Sequence, residues 1–324
     1  MEENIFAIRS EEEFTDLTLS IFKHQFKNNK VYRSFCDLLY VHPSDVNKLE
    51  DIPFLPIQFF KQRKVISSLK EVEEVFTSSG TTGSITSKHF VTDISLYKNS
   101  YLKGFKNFYG DIEDYVVLAL LPNYLERKGS SLVFMVDDLI RKSNHIDSGF
   151  YLNNLEELAE KLNELNNKNQ KVLLVGVSFA LLDLIEKYQF KLKNAIIMET
   201  GGMKGRRKEL IREELHQLLQ KGFGVDKIHS EYGMTELLSQ GYSKGNGVFE
   251  TPPWMKIFIR DTEDALTPLG DQKSGGINII DLANYNSCSF IATQDLGKTN
   301  KDGTFKVIGR FDNSDIRGCN LMVL

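Results

Sequence analysis

Cysteine, tryptophan and long apolar runs are all scarce in this chain, and the scarcities of cysteine and of apolar runs exclude whole classes of protein. The three cysteines, Cys36, Cys288 and Cys319, are odd in number and far apart in 324 residues. That spacing excludes a disulfide framework and a cysteine zinc site, and it predicts reduced thiols. No uninterrupted apolar stretch approaches the roughly 20 residues of a membrane-spanning helix, so no membrane span is expected. Met1 to Phe14 carries five acidic residues and no apolar segment, which is unlike a secretory leader, and the cytoplasm is the expected compartment. Charge of one sign is lacking as well. With a net charge of -4, and with its densest basic cluster, Lys204 to Lys208, running into Glu209, Glu213 and Glu214, the chain has no field for nucleic acid. That cluster reads as a solvated helix face. The histidines His24, His42, His89, His145, His216 and His229 share no metal-ligand spacing. Of these, only His229 stands beside a polar motif, where it either borders a ligand pocket or ends a strand by satisfying a backbone group.

What is present supports a large folded body. A hydrophobic content of 41% is enough to bury a sizeable core, and no repeat, low-complexity tract or linker divides the chain. Residues 11 to 40 have helical spacing of Phe14, Leu17, Ile21, Phe22, Phe35, Leu38 and Leu39, interrupted at Asn28-Asn29. Ile52 to Phe60 is too apolar for a free loop and, with Pro53 and Pro56, too rich in proline for a helix interior. It is expected to lie across the body. Beyond it, candidate strands Val116 to Leu121, Val172 to Val177, Ala195 to Met198 and Lys227 to His229 alternate with helical patterns at Leu155 to Leu165, Phe179 to Tyr188 and Gly205 to Leu219. This alternation predicts an α/β fold with a mostly parallel sheet covered by helices. Ligands of such sheets bind beyond the carboxyl ends of the strands. Gly176-Val177-Ser178, Glu199 to Gly202 and Ser230 to Glu236 are expected there. From Trp254 onward, short alternating runs with turns at Pro268 to Gly270, Ser274 to Gly276 and Lys301 to Gly303 suggest a smaller β-rich subdomain. The chain thus reads as one domain over 1–324, with a helical lead-in over 1–70, an α/β core over 71–250 and a β-rich subdomain and tail over 251–324.

The most telling stretch is Thr77-Ser78-Ser79-Gly80-Thr81-Thr82-Gly83, where hydroxyls and glycines follow one another with nothing apolar between them. Glycine lets backbone approach an anion closely, successive N–H groups form a concave anion site, and Ser and Thr hydroxyls add donors. The P-loop of nucleotide triphosphatases is excluded by spacing, because Ile85 occupies the place of its second glycine. Three more patterns follow in order: Tyr232-Gly233-Met234-Thr235-Glu236, Ala292-Thr293-Gln294-Asp295-Leu296-Gly297, and Gly309-Arg310-Phe311-Asp312. Singly, each has a plain structural reading: a turn at Tyr232-Gly233, a helix-start acid at Glu236, a turn residue at Asp295 and a surface ion pair at Arg310.

In this order the four patterns resemble the adenylate-forming enzymes, the superfamily of acyl-CoA synthetases and firefly luciferase. Within it the chain resembles the LuxE-type acyl-protein synthetases, with phenylacetate-CoA ligase a more distant likeness. Pro53-Phe54-Leu55-Pro56, the continuation Leu237-Leu238-Ser239-Gln240 and the ending Ile316-Arg317-Gly318-Cys319-Asn320 add to the match, which spans roughly residues 50 to 320. The resemblance implies ATP and Mg2+ as cofactors and a fatty or aryl carboxylic acid as substrate. It assigns Thr77 to Gly83 to the β- and γ-phosphates, Thr235 to the α-phosphate and Glu236 to Mg2+. Tyr232, beside Gly233, would stack near adenine, with Gly201 and Gly202 along its edge. Asp295 is matched to the ribose hydroxyls and Arg310 to ribose or phosphate. Lys88 lies near the place where many relatives carry a basic residue after the loop, at a different spacing. Most relatives continue into a mobile C-terminal domain with a catalytic lysine; this chain ends at Leu324, as LuxE-type proteins do, so that domain is expected to be absent. By the same resemblance Cys319 is the candidate acyl acceptor before an acyl reductase or carrier, set against a reading as a half-buried structural cysteine, while Cys36 and Cys288 read as core. Transfer to CoA or a carrier protein, and a binding module without turnover, are the alternatives.

Overall fold

The computed structural model describes residues 2–78, 85–121, 129–151, 154–201 and 210–311. Its first helices are α1 (Glu11–Asn28) and α2 (Lys30–Leu38). The interruption expected at Asn28-Asn29 has a local cause, because the Asn29 side chain caps α2 by accepting from the Val31 and Tyr32 amides at 3.1 and 3.0 Å. Next, β1 (Leu55–Pro56) lies within the apolar proline-rich stretch and pairs in parallel with Ile291 and Ala292. The short α3 (Phe59–Gln62) follows, and β2 (Glu74–Thr77) pairs with β3 (Lys88–Val91) as a separate antiparallel pair.

The α/β core then alternates as its sequence predicts. Helix α4 (Ile94–Tyr109) leads to β4 (Val116–Leu120), and α5 (Ser131–Ser143) to β5 (Gly149–Phe150). They are followed by α6 (Leu155–Asn167), β6 (Val172–Gly176), α7 (Ser178–Lys187), β7 (Ala195–Thr200), α8 (Arg212–Phe223) and β8 (His229–Tyr232). Strands β5, β4, β6, β7 and β8 are neighbours in that order and all parallel. Every residue of β4 and β6 is buried, as strands covered on both faces require.

Two expectations about strand ends need correction. Glu199 and Thr200 are the last residues of β7, and Ser230 to Tyr232 belong to β8, where they had been expected beyond the strands. Polar residues continue these strands because they bond sideways: the Thr200 hydroxyl donates to Glu231 Oε2 at 2.8 Å, and Ser230 Oγ lies 3.4 Å from His216 Nε2. His229 is consequently the first residue of β8, at the amino end. Its Nδ1 meets the Tyr109 hydroxyl at 3.2 Å rather than a backbone group. Residues 205–209 of the expected Gly205 to Leu219 helix lie outside the described residues.

The β-rich part comprises β9 (Gly241–Ser243), β10 (Phe249–Glu250), β11 (Met255–Arg260), β12 (Pro268–Leu269), β13 (Ser274–Asp281), β14 (Phe290–Thr299) and β15 (Phe305–Arg310). It is antiparallel as its alternation suggests, yet it continues the parallel strands in one 13-stranded sheet through β8, β9, β10 and β15. The turn expected at Lys301 to Gly303 is present, with Gly303 at φ 82°, whereas Pro268-Leu269 and Ser274 to Gly276 are strand. Proline is tolerated at the edge position of β12. Gly276 is required by close approach, because a Cβ there would fall 2.6 Å from Arg260 Cζ.

Within the antiparallel part, β10 joins β15 at one register pair, Phe249 opposite Phe305. There the rings of Phe249, Phe305 and Tyr232 pack within 5.3 to 6.0 Å of one another. Phe305 is fully buried. Phe305→Ala should therefore cost about 3–5 kcal/mol of unfolding free energy in urea denaturation, and a loss below ~1 kcal/mol would contradict this account of the junction.

Candidate active site

Residues 233–240, between β8 and β9, are irregular in backbone and mostly buried. A buried segment without regular structure must find partners for its N–H and C=O groups elsewhere. Distant side chains supply them. His89 of β3 donates through Nδ1 to the Thr235 carbonyl at 2.9 Å. Asn284 Nδ2 donates to the Glu236 carbonyl at 2.8 Å. Asp281 Oδ2 accepts from the Leu238 and Ser239 amides at 2.9 and 3.0 Å, while its Oδ1 accepts from the Ser239 hydroxyl at 2.5 Å. The segment is thus held from β3, from the end of β13 and from the short 3-10 helix Leu282–Asn286 that follows it.

His89 is 1% exposed, and burial pushes its imidazole down to about 4. The ring is neutral at pH 7. Because a carbonyl only accepts, Nδ1 carries the proton, and Nε2 accepts from the Ser287 hydroxyl at 2.9 Å. Strand β3 leaves the hydroxyl-rich loop, whose described ends are closed on each other: the Ser78 amide donates to the Ser87 carbonyl at 3.1 Å, and the Ser87 amide to Ser78 Oγ at 2.9 Å. The Ser87 hydroxyl also donates to the Glu236 carboxylate. Loop and acid are therefore neighbours.

Glu236 is 5% exposed. Burial raises its pKa, opposed by the Ser87 hydroxyl, its own amide and the charges of Arg310 and Lys61. The anion is thus incompletely compensated, and its oxygens are the hard donors that Mg2+ takes, so this residue fits the metal that the resemblance implies. Beside it, Asp295 is shared across strands: Oδ2 accepts from the Tyr232 hydroxyl at 2.8 Å and Oδ1 from Arg310 Nε at 3.1 Å. Asp295 and Arg310 are register partners on β14 and β15. The Arg310 side chain is 76% exposed, so the pair adds little stability; its interest is a nearly buried acid with acceptor capacity left. The Tyr232 ring is almost buried against Phe249 and Phe305. Its visible work is to hold Asp295, which differs from the stacking role that the resemblance implies. At Gly233 a Cβ would fall 2.3 Å from Glu231 Oε1, so any side chain there would have to displace that carboxylate. Gly201, at φ 77°, follows β7 and accepts from Ser178 Oγ at 2.7 Å.

The structure thus brings together Ser78, Thr235, Glu236, Tyr232, Asp295 and Arg310 through these contacts. Thr77 begins the loop opposite Lys88, which is exposed at the start of β3. Ser79, Gly80, Thr81, Thr82, Gly83, Gly202 and Cys319 lie outside the described residues. Sequence reasoning missed His89, Asp281, Asn284 and Arg260. Buried Arg260 donates to the Thr293 carbonyl at 2.6 Å and to the Ile277 carbonyl and Asn278 Oδ1, both at 2.8 Å. It stands close enough for its charge to be felt at Asp295. A signal existed for Asp281 and Asn284: the polar run through Ser287 interrupts two strongly apolar strands.

The fold is that of the adenylate-forming ligases. ATP-bound MatB from Rhodopseudomonas palustris superposes with a TM-score of 0.57 at 16% identity over 75% of this chain, which spans 49% of that protein's length. A 2-hydroxyisobutyryl-CoA ligase in its postadenylation state gives 0.68 at 10% identity, covering 96% of this chain and 70% of that one. Within that class, residues 7–324 match the model of the LuxE acyl-protein synthetases, and the chain belongs to that family. It is similar to the long-chain-fatty-acid–luciferin-component ligases of Aliivibrio fischeri, at 23% identity, and Vibrio harveyi, at 25%, each over 98% of this chain and 89% of the relative.

The buried imidazole yields a pH prediction. Histidine titrates near 6.5 when free and His89 near 4 in the fold, so between those values the unfolded chain binds more protons and acid removes stability. The stability difference between the wild type and His89→Gln should be steady above pH 6.5 and shrink on acidification to pH 4. The shrinkage should be on the order of 3 kcal/mol. A difference that stays flat across that window would contradict the neutral, buried assignment.

Proposed function

We propose that the protein activates a fatty acid with ATP as an acyl-adenylate and passes the acyl group to a protein thiol. The observation that carries this reading is the meeting of the hydroxyl-loop ends, the buried Glu236 and the Tyr232–Asp295–Arg310 clasp in one place. A carboxylate oxygen attacks the α-phosphorus of ATP, the bond to the β-phosphate breaks, and pyrophosphate leaves with its electron pair. Two anions must meet in that step, so the donors around them set the barrier. Thr235 would donate to the α-phosphate, Asp295 and Arg310 would receive the ribose, and Thr77 to Gly83 would hold the phosphates that leave. Mg2+ on Glu236 would neutralise phosphate charge when bound. Family membership and the names of the curated relatives favour a fatty acid over an aryl acid.

In the second step a thiolate attacks the acyl carbon and AMP departs, leaving a thioester available to an acyl reductase or carrier. Cys36 and Cys288 are unsuited to it. Both are fully buried; burial pushes the Cys36 thiol up to about 12 and the Cys288 thiol higher still. Cys319, outside the described residues, is the proposed acceptor, with Arg317 beside it in sequence.

Fatty-acid-dependent ATP–pyrophosphate exchange tests the first step. Glu236→Ala should lower exchange by about a hundredfold or more with thermal stability retained; no exchange with any fatty or aryl acid, where ATP binds, would reduce the protein to a binding module. For the second step, intact mass after incubation with fatty acid and ATP should show an acyl adduct that Cys319→Ser abolishes. An adduct that survives Cys319→Ser, or full turnover without one, would move the acceptor elsewhere.

A further inference from the structure

An open groove of about 410 Å3 lies beside the candidate site, lined by Lys61, Arg63, Lys64 and Lys88 over a floor that includes Phe60 and Phe90. All four cationic side chains are exposed. Among the described residues none of the four ion-pairs with a carboxylate, and Lys64 Nζ rests 5.3 Å from the centre of the Phe90 ring. Among the described residues no carboxylate lines the groove. A concentration of cations without counter-charge is electrostatically unfavourable in the empty protein and raises the local concentration of anions. Its position is not arbitrary. Lys88 is the register partner of Thr77, where the hydroxyl loop begins, and Lys61 is near enough for its charge to act on Glu236. The segment is also fixed in place: β1, immediately before it, pairs with β14 just upstream of Asp295, and the buried Phe60 ring packs edge-on at 5.6 Å against His89.

We infer that this groove is a polyphosphate site that receives the pyrophosphate leaving group of adenylation, with Lys61, Arg63 and Lys64 as its principal cations. The inference rests on the adenylation reading above and extends it to residues that the reading does not use. When the bond between the α-phosphorus and the bridging oxygen breaks, negative charge collects on the departing pyrophosphate. Cations beyond the hydroxyl loop lower the energy of that charge and give the product a path away from the acyl-adenylate. The concave shape suits a small polyanion better than the face of an acidic protein, which would need a far broader surface of roughly 800 Å2 on each partner. Arg63 adds a planar fork able to hold two phosphate oxygens at once.

Titration calorimetry with inorganic pyrophosphate, and exchange kinetics with pyrophosphate varied at saturating ATP and fatty acid, test the site. The variants are Lys61→Gln and the double variant Arg63→Gln with Lys64→Gln, all at exposed positions. The double variant should weaken pyrophosphate binding, and raise its KM in exchange, by about tenfold or more, since each lost charge-assisted contact is a sizeable fraction of that. Lys61→Gln should do so to a smaller degree. The KM for fatty acid should stay unchanged, and wild-type affinity should fall as salt is raised. Unchanged pyrophosphate affinity in the double variant overturns the inference, as does a loss confined to binding of an acidic protein. Wild-type exchange with an unaltered pyrophosphate KM in the variants sinks this inference alone. Absence of wild-type exchange sinks the adenylation reading, and calorimetry still decides whether the groove binds pyrophosphate.

Discussion

The site depends on one constraint: a segment without regular secondary structure is buried, and each of its polar backbone groups has to be satisfied. Residues 233–240 carry the candidate pair Thr235 and Glu236, so whatever satisfies that backbone also aims those side chains. The Thr235 carbonyl is held from β3, the Glu236 carbonyl from Asn284, and the Leu238 and Ser239 amides from Asp281. Asp281 illustrates the cost: burial raises its carboxyl to about 6 in spite of the amides and hydroxyl that donate to it. A helix or strand would satisfy the same groups internally but would fix the side chains on its own period. Support from outside lets adjacent residues point where a nucleotide needs them.

The same constraint links elements that are far apart in sequence. His89, on the strand that follows the hydroxyl loop, also supports the Thr235 carbonyl. Because Ser87 donates to Glu236, the acid and the loop share a hydrogen bond as well as a wall. On the other side, the Phe249–Phe305 pair joins β10 to β15, and the Tyr232 ring of β8, packed against both phenylalanines, reaches Asp295 of β14. The site is thus assembled at the seam of the sheet, where order changes from parallel to antiparallel. That is where open α/β sheets leave room for ligands.

Much of this was legible in the sequence, for definable reasons. Uniformly apolar runs such as Val116 to Leu121 announced buried parallel strands, Asn28-Asn29 announced a break between helices, and four short motifs in order announced the adenylate-forming fold. What was not legible involves residues whose meaning is set by a partner far along the chain. His89 looks like any strand histidine until Thr235, 146 residues away, lies against its Nδ1. Ser230 and Glu231 looked like loop because polar residues in a central strand are unexpected; His216 and Thr200 beside them make them strand. Ser274-Gly275-Gly276 looked like a turn because glycine has two uses, and here the one that applies is close approach to Arg260.

The most direct test of where the chemistry occurs is a crystal structure with a non-hydrolysable fatty acyl-sulfamoyl adenosine. The account predicts the ribose on Asp295 and Arg310, the sulfamoyl group at Thr235 and the vacated pyrophosphate side open toward Lys61. An analogue bound elsewhere, with Asp295 still engaged only by Tyr232 and Arg310, would contradict it.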